Sequence, residues 1–150
     1  EKDSKDEVMI SSDLQIIKDD FLYSMFSKLN KRAHLFCLMD LCNSATIGDL
    51  QYTYLNLSKP SKNNKKQLKN KNITIISSSR DDQLSYDAYI GGKYQGILTH
   101  SFKKFITRGV HLKWLVLQIR KYIKNLDIDQ KTILSSSYLI RPGKNTLIFK

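Results

Sequence analysis

"LMDLCNSATIGDLQY", residues 38 to 52, is the stretch on which the interpretation of the whole chain depends. An apolar run ends at Asp40, and Cys42 and several small polar residues follow it. An ordinary core strand ends in a turn containing Gly, Pro, Asn or Asp. Here the strand leads to a carboxylate and a thiol, where an α/β fold usually carries its functional groups. The segment therefore predicts a site built around Asp40 and Cys42.

Length and composition predict one globular domain. A chain of 150 residues can bury a core, and contents of 41% hydrophobic and 26% charged residues are typical of globular proteins. Because no apolar run is long enough to span a bilayer and EKDSKDEV is unlike a signal peptide, we expect a soluble, cytoplasmic protein. The absence of an initial Met favours a fragment or a processed product. Two cysteines without zinc spacing predict reduced thiols.

The positive charge is concentrated in one segment. The net charge is +11, and residues 58–72, SKPSKNNKKQLKNKN, hold six Lys and no acid. Such a composition is typical of a solvated linker or exposed loop. The chain also lacks the interleaving of Arg and aromatic residues that stacks on bases. Nucleic-acid binding is therefore disfavoured.

Hydrophobic spacing predicts the order helix, strand, linker, strand, helix, helix, strand. The first helix starts near Asp19 and Asp20, where a helix N-terminus favours anions. The remaining elements are a strand suited to burial on both faces (33–40), a strand opening 72–83, two amphipathic helices (96–106 and 111–123) and a final strand in TLIFK (146–150). This order predicts an α/β fold with a largely parallel sheet and its functional groups at the strand ends.

Several segments, taken together, resemble the metacaspase family of caspase-like cysteine peptidases. DLCNSATIGDLQYTY resembles the nucleophile segment, whose usual form is D-C-C-H-S-G-T followed by L-D-L-P-Y. ITIISSSRDDQLSYDAYIGGKYQGILTHSF resembles the opening of the second subunit, with a D-Q-x-S-x-D segment and a G-x-x-T-x-x-F helix. DQKTILSSS is similar to the later Q-x-P-x-L-S-S segment.

The resemblance implies a caspase-like three-layer sandwich, in which helices flank a mostly parallel sheet that lacks its first strands. It also implies a single domain over residues 1–150. Within that domain, residues 1–57 correspond to the end of the large subunit, 58–72 to a Lys-rich linker and 73–150 to the small subunit.

The resemblance further implies roles for Cys42 and Asp40. Cys42 aligns with the nucleophile of a cysteine endopeptidase, whose thiolate attacks the scissile carbonyl. Asp40 aligns with the acid of the S1 pocket, which implies protein or peptide substrates cleaved after Arg or Lys, with a charge-assisted and even bidentate contact to Arg. The residues alone leave a solvated or helix-capping Asp40 open. Cys37, inside the apolar run, is interpreted as a small buried hydrophobe.

Calcium is the one cofactor that the resemblance implies, and no organic cofactor is expected. Asp19, Asp20 and Asp49 match acidic positions linked to calcium activation in the family, and calcium prefers six to eight hard oxygen ligands. The alternatives are helix N-terminal charges for the first two and a surface carboxylate for the third. If the pocket accepts Lys, residues 58–72 also offer sites for autoprocessing.

The family's catalytic His, in a Y-S-G-H-G segment upstream of the nucleophile, has no counterpart before Cys42. His34 lies eight residues earlier along the apolar run, up to ~26 Å away in an extended strand. His100 and His111 lie on or beside predicted helices, so no general base is assigned.

The nucleophile segment itself departs from the family pattern, because Asn43 and Ala45 replace its His and Gly. These departures leave two accounts: part of a longer active peptidase, which we favour, and a catalytically inactive caspase-like module with a regulatory or binding role.

Overall fold

A computed structural model describes residues 8–42, 48–63, 68, 71–80, 83 and 85–141. The strands in these ranges are β1 (Val8–Ile10), β2 (Ile16–Lys18), β3 (His34–Met39), β4 (Tyr52–Tyr54), β5 (Ser61–Lys62), β6 (Asn72–Ser77), β7 (Asp87–Ile90), β8 (Lys93–Gly96) and β9 (Ile133–Ser136). The helices are α1 (Asp19–Ser27), α2 (Ile97–Phe105) and α3 (Leu112–Asn125). No helix in these ranges is long and apolar enough to cross a membrane.

The central sheet is mixed. Its described strands lie in the order β3-β6-β9-β4-β5. Two separate hairpins, β1-β2 before β3 and β7-β8 between β6 and β9, complete the described strands. β3 and β6 pair in parallel, whereas β6-β9, β9-β4 and β4-β5 pair antiparallel. The prediction of a mostly parallel sheet is therefore wrong for these strands. A parallel neighbour needs a crossover connection, whereas a short loop links β4 to β5. The chain between β6 and β9 contains the hairpin β7-β8 and both helices α2 and α3, and it returns to the sheet in the opposite direction.

Helices pack on both faces of this sheet. Side chains of β6 alternate between the faces, as expected for an extended strand. Ile73 and Ile75 belong to one core cluster with Phe26 of α1. Ile76 belongs to a second cluster that contains the buried residues of α2 and α3. The result is three layers, with α1 on one side of the sheet and α2 and α3 on the other.

The strand that precedes Asp40 lies at one end of the described sheet. The prediction of a strand in residues 33–40 is confirmed by β3, but the prediction that it is buried on both faces is wrong. Its first residue, His34, is exposed and the next five are half-buried. β3 pairs with β6 alone among the described strands, so its second edge has no strand to cover it.

Both amphipathic helices of the second half are confirmed. One face of α3 is fully buried at Leu112, Leu115, Val116, Ile119 and Ile123. The segment 58–72 departs from a purely exposed linker at two points, because Ser61–Lys62 forms β5 and Leu68 packs in the cluster with α1. The strand predicted in 146–150 lies outside the described residues.

Arg120 holds α3 against the sheet. Its guanidinium donates to the carbonyl oxygens of Tyr54 (2.8 Å), Leu55 (3.0 Å) and Thr132 (2.7 Å), which connects the helix to β4 and to the residue before β9. Burial lowers the pKa of Arg120 to about 10. The planar fork of Arg suits three carbonyl acceptors better than an ammonium would.

Candidate active site

The parallel pairing of β3 with β6 sets the position of the site. Met39 lies opposite Ser77, so the residues that follow the two strands meet at one edge of the sheet. The Ser78 N–H donates to the Met39 carbonyl oxygen at 2.9 Å, and the Leu41 N–H donates to Ser78 Oγ at 3.1 Å. The Ser78 hydroxyl in turn donates to the Leu41 carbonyl oxygen. Ser78 therefore holds the backbone on both sides of Asp40.

Cys42 presents an exposed thiol just beyond this clamp. The Ser85 N–H donates to Cys42 Sγ at 3.2 Å, and the thiol lies 3.9 Å from the Ser85 carbonyl oxygen. Main-chain groups of a loop far along the sequence thus orient the sulfur. Cys37, by contrast, is half-buried in β3, and burial raises the pKa of its thiol. Its interpretation as a packing residue agrees with this position.

The half-buried Asp40 carboxylate accepts three hydrogen bonds from distant parts of the chain. Ser85 Oγ donates to Oδ1 at 3.0 Å. The Thr99 N–H and Thr99 Oγ1 donate to Oδ2 at 2.9 and 2.6 Å. Thr99 lies in the first turn of α2, whose N-cap residue, Gly96, makes no side-chain cap. Asp40 therefore caps α2 from outside, where a negative charge is favoured, and the capping alternative for this residue is confirmed.

Gly96 is needed because of space and not because of backbone conformation. Its φ of −60° is available to any residue. A Cβ built on Gly96 would lie 2.6 Å from Asp40 Cγ and closer still to Oδ2. The absence of a side chain lets the carboxylate reach the helix N-terminus.

The loop that carries Ser85 is tied to the segment before β9. Gln83 Nε2 donates to Asp129 Oδ1 at 2.9 Å, and the Tyr86 N–H donates to Gln130 Oε1 at 2.9 Å. The Ile97 N–H donates to the Tyr86 carbonyl oxygen at 2.9 Å, which links the loop to the start of α2. Ser85 therefore sits in a braced segment between two connections.

None of the three histidines contacts Cys42 in the described part of the chain. His34 opens β3, at the end of the strand opposite Cys42, and burial lowers its pKa. His100 Nε2 pairs with the Tyr122 hydroxyl at 3.2 Å. His111 precedes α3, and its Nε2 is buried without a hydrogen-bond partner.

A second cluster brings together the three predicted calcium ligands. One oxygen from each of Asp19, Asp20 and Asp49 lies within 4.8 Å of the others. Asp19 is 1% exposed and Asp49 is 8% exposed. Asp19 Oδ1 accepts the Asp20 N–H at 2.8 Å, whereas Asp19 Oδ2 is buried without a hydrogen-bond partner.

The residues of this cluster fit a divalent cation. Carboxylate oxygens are the ligands that calcium prefers, and three of them from two separate segments converge here. A buried carboxylate oxygen that lacks a donor is costly, and neighbouring carboxylates repel each other unless a positive charge lies between them. Both costs would be relieved by a cation at this place.

The backbone at Asp49 is shaped for the cluster. Gly48 has a φ of +88° and Asp49 a φ of +49°, both in the left-handed region. A Cβ on Gly48 would lie 2.8 Å from the Phe26 ring of α1. The absence of a side chain at Gly48 therefore permits the close approach of this segment to Phe26 of α1.

Two cavities among the described residues lie elsewhere. One, of about 530 Å³, is lined by apolar residues that include Trp114, Leu117 and Leu139. The other, of about 390 Å³, lies between β8 and α2 beside His100 and Lys103. Neither is lined by Asp40 or Cys42.

Sequence analysis assigned no role to Ser85, Thr99, Gly96 or Ser78. The signals were present in the D-Q-x-S-x-D segment, the G-x-x-T-x-x-F helix and the Ser run after β6. The sequence did not show which residue Ser85 and Thr99 contact, since Asp40 lies 45 residues from Ser85 and 59 from Thr99.

Comparisons with known proteins agree with this architecture. The family model of the caspase domain, a domain of cysteine peptidases, matches residues 1–142. Metacaspase III c of Phaeodactylum tricornutum (strain CCAP 1055/1) is 43% identical over 58 residues, which cover 36% of this chain and 17% of that protein. The match and the mixed sheet flanked by three helices confirm the caspase-like α/β sandwich. The chain belongs to the caspase-domain family.

Proposed function

We propose that this chain is part of a cysteine endopeptidase of the metacaspase type, with Cys42 as its nucleophile. The observation that carries the proposal is the arrangement of the exposed Cys42 thiol beside the Asp40 carboxylate, with Ser85 bonded to both. Ser85 thus bonds both to the Cys42 thiol, which would attack the peptide, and to the Asp40 carboxylate, which would bind the substrate. These two groups would form the core of a site for peptide cleavage.

Sulfur chemistry would follow the usual course for cysteine peptidases. The Cys42 thiolate forms a bond to the scissile carbonyl carbon, and the leaving amine departs with a proton from a general acid. Water then attacks the thioester, releases the new carboxyl terminus and returns the thiol. No acid–base group is assigned, because His34, His100 and His111 make no contact with Cys42 in the part of the chain that the structure describes.

Asp40 would recognise a P1 Arg or Lys. Its carboxylate remains half-exposed and lies close to the nucleophile through their shared partner, Ser85. A positively charged P1 side chain reaching Asp40 would leave the scissile carbonyl of P1 beside Cys42. A charge-assisted hydrogen bond at this position favours a basic residue over a neutral one.

Calcium would bind to Asp19, Asp20 and Asp49 and neutralise their combined charge. The support is the unpartnered Asp19 Oδ2 and the convergence of the three carboxylates. Because Asp49 follows the nucleophile segment and Asp19 opens α1, bound calcium would hold that segment against the helix. Removal of the ion would leave repelling carboxylates at this junction, which accounts for activation by calcium.

The Lys-rich segment 58–72 would serve as a site of autoprocessing. Its Lys residues match the proposed P1 preference, and Lys59 and Lys62 are exposed. Cleavage there would separate the part that carries Cys42 from the part that carries Ser85 and Thr99, while the sheet pairing of β3 with β6 holds them together.

The test is cleavage of a fluorogenic peptide with Arg at P1, with and without millimolar calcium. It uses both this chain and a chain extended at its N-terminus. We expect calcium-dependent turnover that Cys42→Ala abolishes and that Cys37→Ala, the matched control, retains. Activity only in the extended chain would locate the general base upstream. Folded protein that is inactive in both forms would overturn the peptidase proposal and leave a regulatory or binding module.

A further inference from the structure

We infer that Ser85 and Gly96 restrict Asp40 to one available acceptor position, so that the site binds P1 Lys almost as well as P1 Arg. The inference rests on the proposed function and names Ser85 as the residue that sets specificity within it. It follows from how the chain already uses the two oxygens of the Asp40 carboxylate.

A carboxylate offers about four acceptor positions, two on each oxygen. Oδ2 of Asp40 accepts both the N–H and the hydroxyl of Thr99, at 2.9 and 2.6 Å, so both of its positions are occupied. Oδ1 accepts the Ser85 hydroxyl at 3.0 Å. One position, on Oδ1, remains for a ligand.

Gly96 closes Oδ2 to any ligand in a second way. The space that a Cβ on Gly96 would need is filled by the carboxylate, so the backbone at the start of α2 lies directly against Oδ2. Removing the Thr99 hydroxyl would not open this oxygen to solvent. Oδ1, on the side of Ser85 and Cys42, is therefore the oxygen that meets the substrate.

The advantage of Arg over Lys at a carboxylate comes from the paired N–H groups of the guanidinium, which bind two acceptor positions at once. With one position free, Arg makes a single bond, as Lys does. The expectation of a bidentate contact with Arg is thereby replaced by a single contact on Oδ1. Removing the Ser85 hydroxyl frees a second position on Oδ1, and Arg gains a second bond that Lys does not match.

The experiment measures how fast peptidyl acyloxymethyl ketones alkylate Cys42, by mass spectrometry, in a Cys37→Ala background. Reagents with Arg, Lys or norleucine at P1 report on recognition, and iodoacetamide reports on the thiol alone. We expect Arg and Lys reagents to react within about twofold of each other and both faster than norleucine. In Ser85→Ala the ratio of the Arg rate to the Lys rate should rise about fivefold.

Two variants separate this effect from a general loss of structure. Ser85→Thr keeps the hydroxyl and should keep the original ratio. Thr99→Val should slow both basic reagents without changing their ratio, because Gly96 still covers Oδ2. The Arg and Lys rates of each variant are divided by its iodoacetamide rate, so that a change in the thiol itself does not enter the comparison with the parent protein.

The outcomes distinguish this inference from the function on which it rests. An unchanged ratio in Ser85→Ala, or a strong preference for Arg in the parent protein, would overturn the inference while leaving recognition of basic P1 residues intact. If Arg and Lys reagents react no faster than norleucine in the folded parent protein, the basic P1 preference fails, and the inference fails with it.

Discussion

Asp40 caps the first turn of α2 from outside and Asp19 is the first residue of α1, yet their carboxylates have different surroundings. Asp40 is met by donors from the chain itself, through Ser85 and Thr99. Asp19 has one oxygen on the Asp20 N–H, and its other oxygen is buried without a hydrogen-bond partner beside two further carboxylates. Asp40 is thus fixed by the fold, whereas the Asp19 cluster is suited to an external cation.

The contrast shows that residue type and helix position do not decide what an aspartate does. A buried charge is tolerated only when hydrogen bonds or an opposite charge compensate for the lost water. At Asp40 the fold supplies the compensation through Ser85 and Thr99. At Asp19 the described residues supply it for Oδ1 but not for Oδ2.

Gly96→Ala tests whether the chain itself fixes the Asp40 carboxylate, and it should have the largest effect on stability. The added methyl group collides with Asp40, so the carboxylate must leave the helix N-terminus. We expect the free energy of unfolding to fall by about 3 kcal/mol in urea denaturation. Gly91→Ala is the matched control, because it meets open space and adds left-handed strain of about 1 kcal/mol. Equal losses in the two variants would contradict the steric role of Gly96.

Calcium addition tests whether the cluster of Asp19, Asp20 and Asp49 binds a cation. At about one hundred times its Kd, calcium should raise the free energy of unfolding by about 2.7 kcal/mol, and chelation should reverse the gain. Asp19→Asn should lose this response and should be more stable than the parent without calcium, because a repelling charge is removed. Asp13→Asn, at an exposed turn, should respond like the parent. A free energy of unfolding of the parent protein that does not change with calcium would contradict a calcium site at this cluster.

Thr99→Val sharpens the account of Asp40. The substitution keeps the shape of the side chain and removes the hydroxyl that donates to Oδ2, while the Thr99 N–H remains. We expect a loss of about 1.5 kcal/mol in thermal or urea unfolding, as for a hydrogen bond to a charged group. Thr53→Val, the same change on β4, should lie within about 0.5 kcal/mol of the parent. Similar values for both variants would argue against a cap by Asp40.

The thiols of Cys37 and Cys42 also differ in their surroundings. Burial raises the pKa of Cys37, so it holds less thiolate at pH 8, while Cys42 is exposed. We expect iodoacetamide to modify Cys42 about tenfold faster than Cys37 at that pH.

Because the raised pKa favours the neutral thiol in the folded state, the stabilising contribution of Cys37 is complete below its unfolded pKa. It should be lost as the pH rises toward and beyond the folded pKa. Faster modification of Cys37 in folded protein would contradict its packing role.

Much of the fold was accessible from sequence patterns. The spacing of apolar residues predicted α2 and α3 and the strand in β6, because amphipathic periodicity is a local property. The direction of β9 was not predictable in the same way. It depends on how two consecutive helices return the chain to the sheet, and neither helix encodes that alone.

In the candidate site, too, some features were predictable from local sequence and others were not. The sequence by itself determined that Asp40 and Cys42 follow an apolar strand, because strand ends are visible in short windows. Asp19, Asp20 and Asp49 were singled out only by the resemblance to the metacaspase family. Only the tertiary structure decided that Ser85 holds both Cys42 and Asp40 and that Asp40 caps α2. These hydrogen bonds join residues more than forty positions apart, and their geometry exists only after the sheet has aligned the ends of β3 and β6.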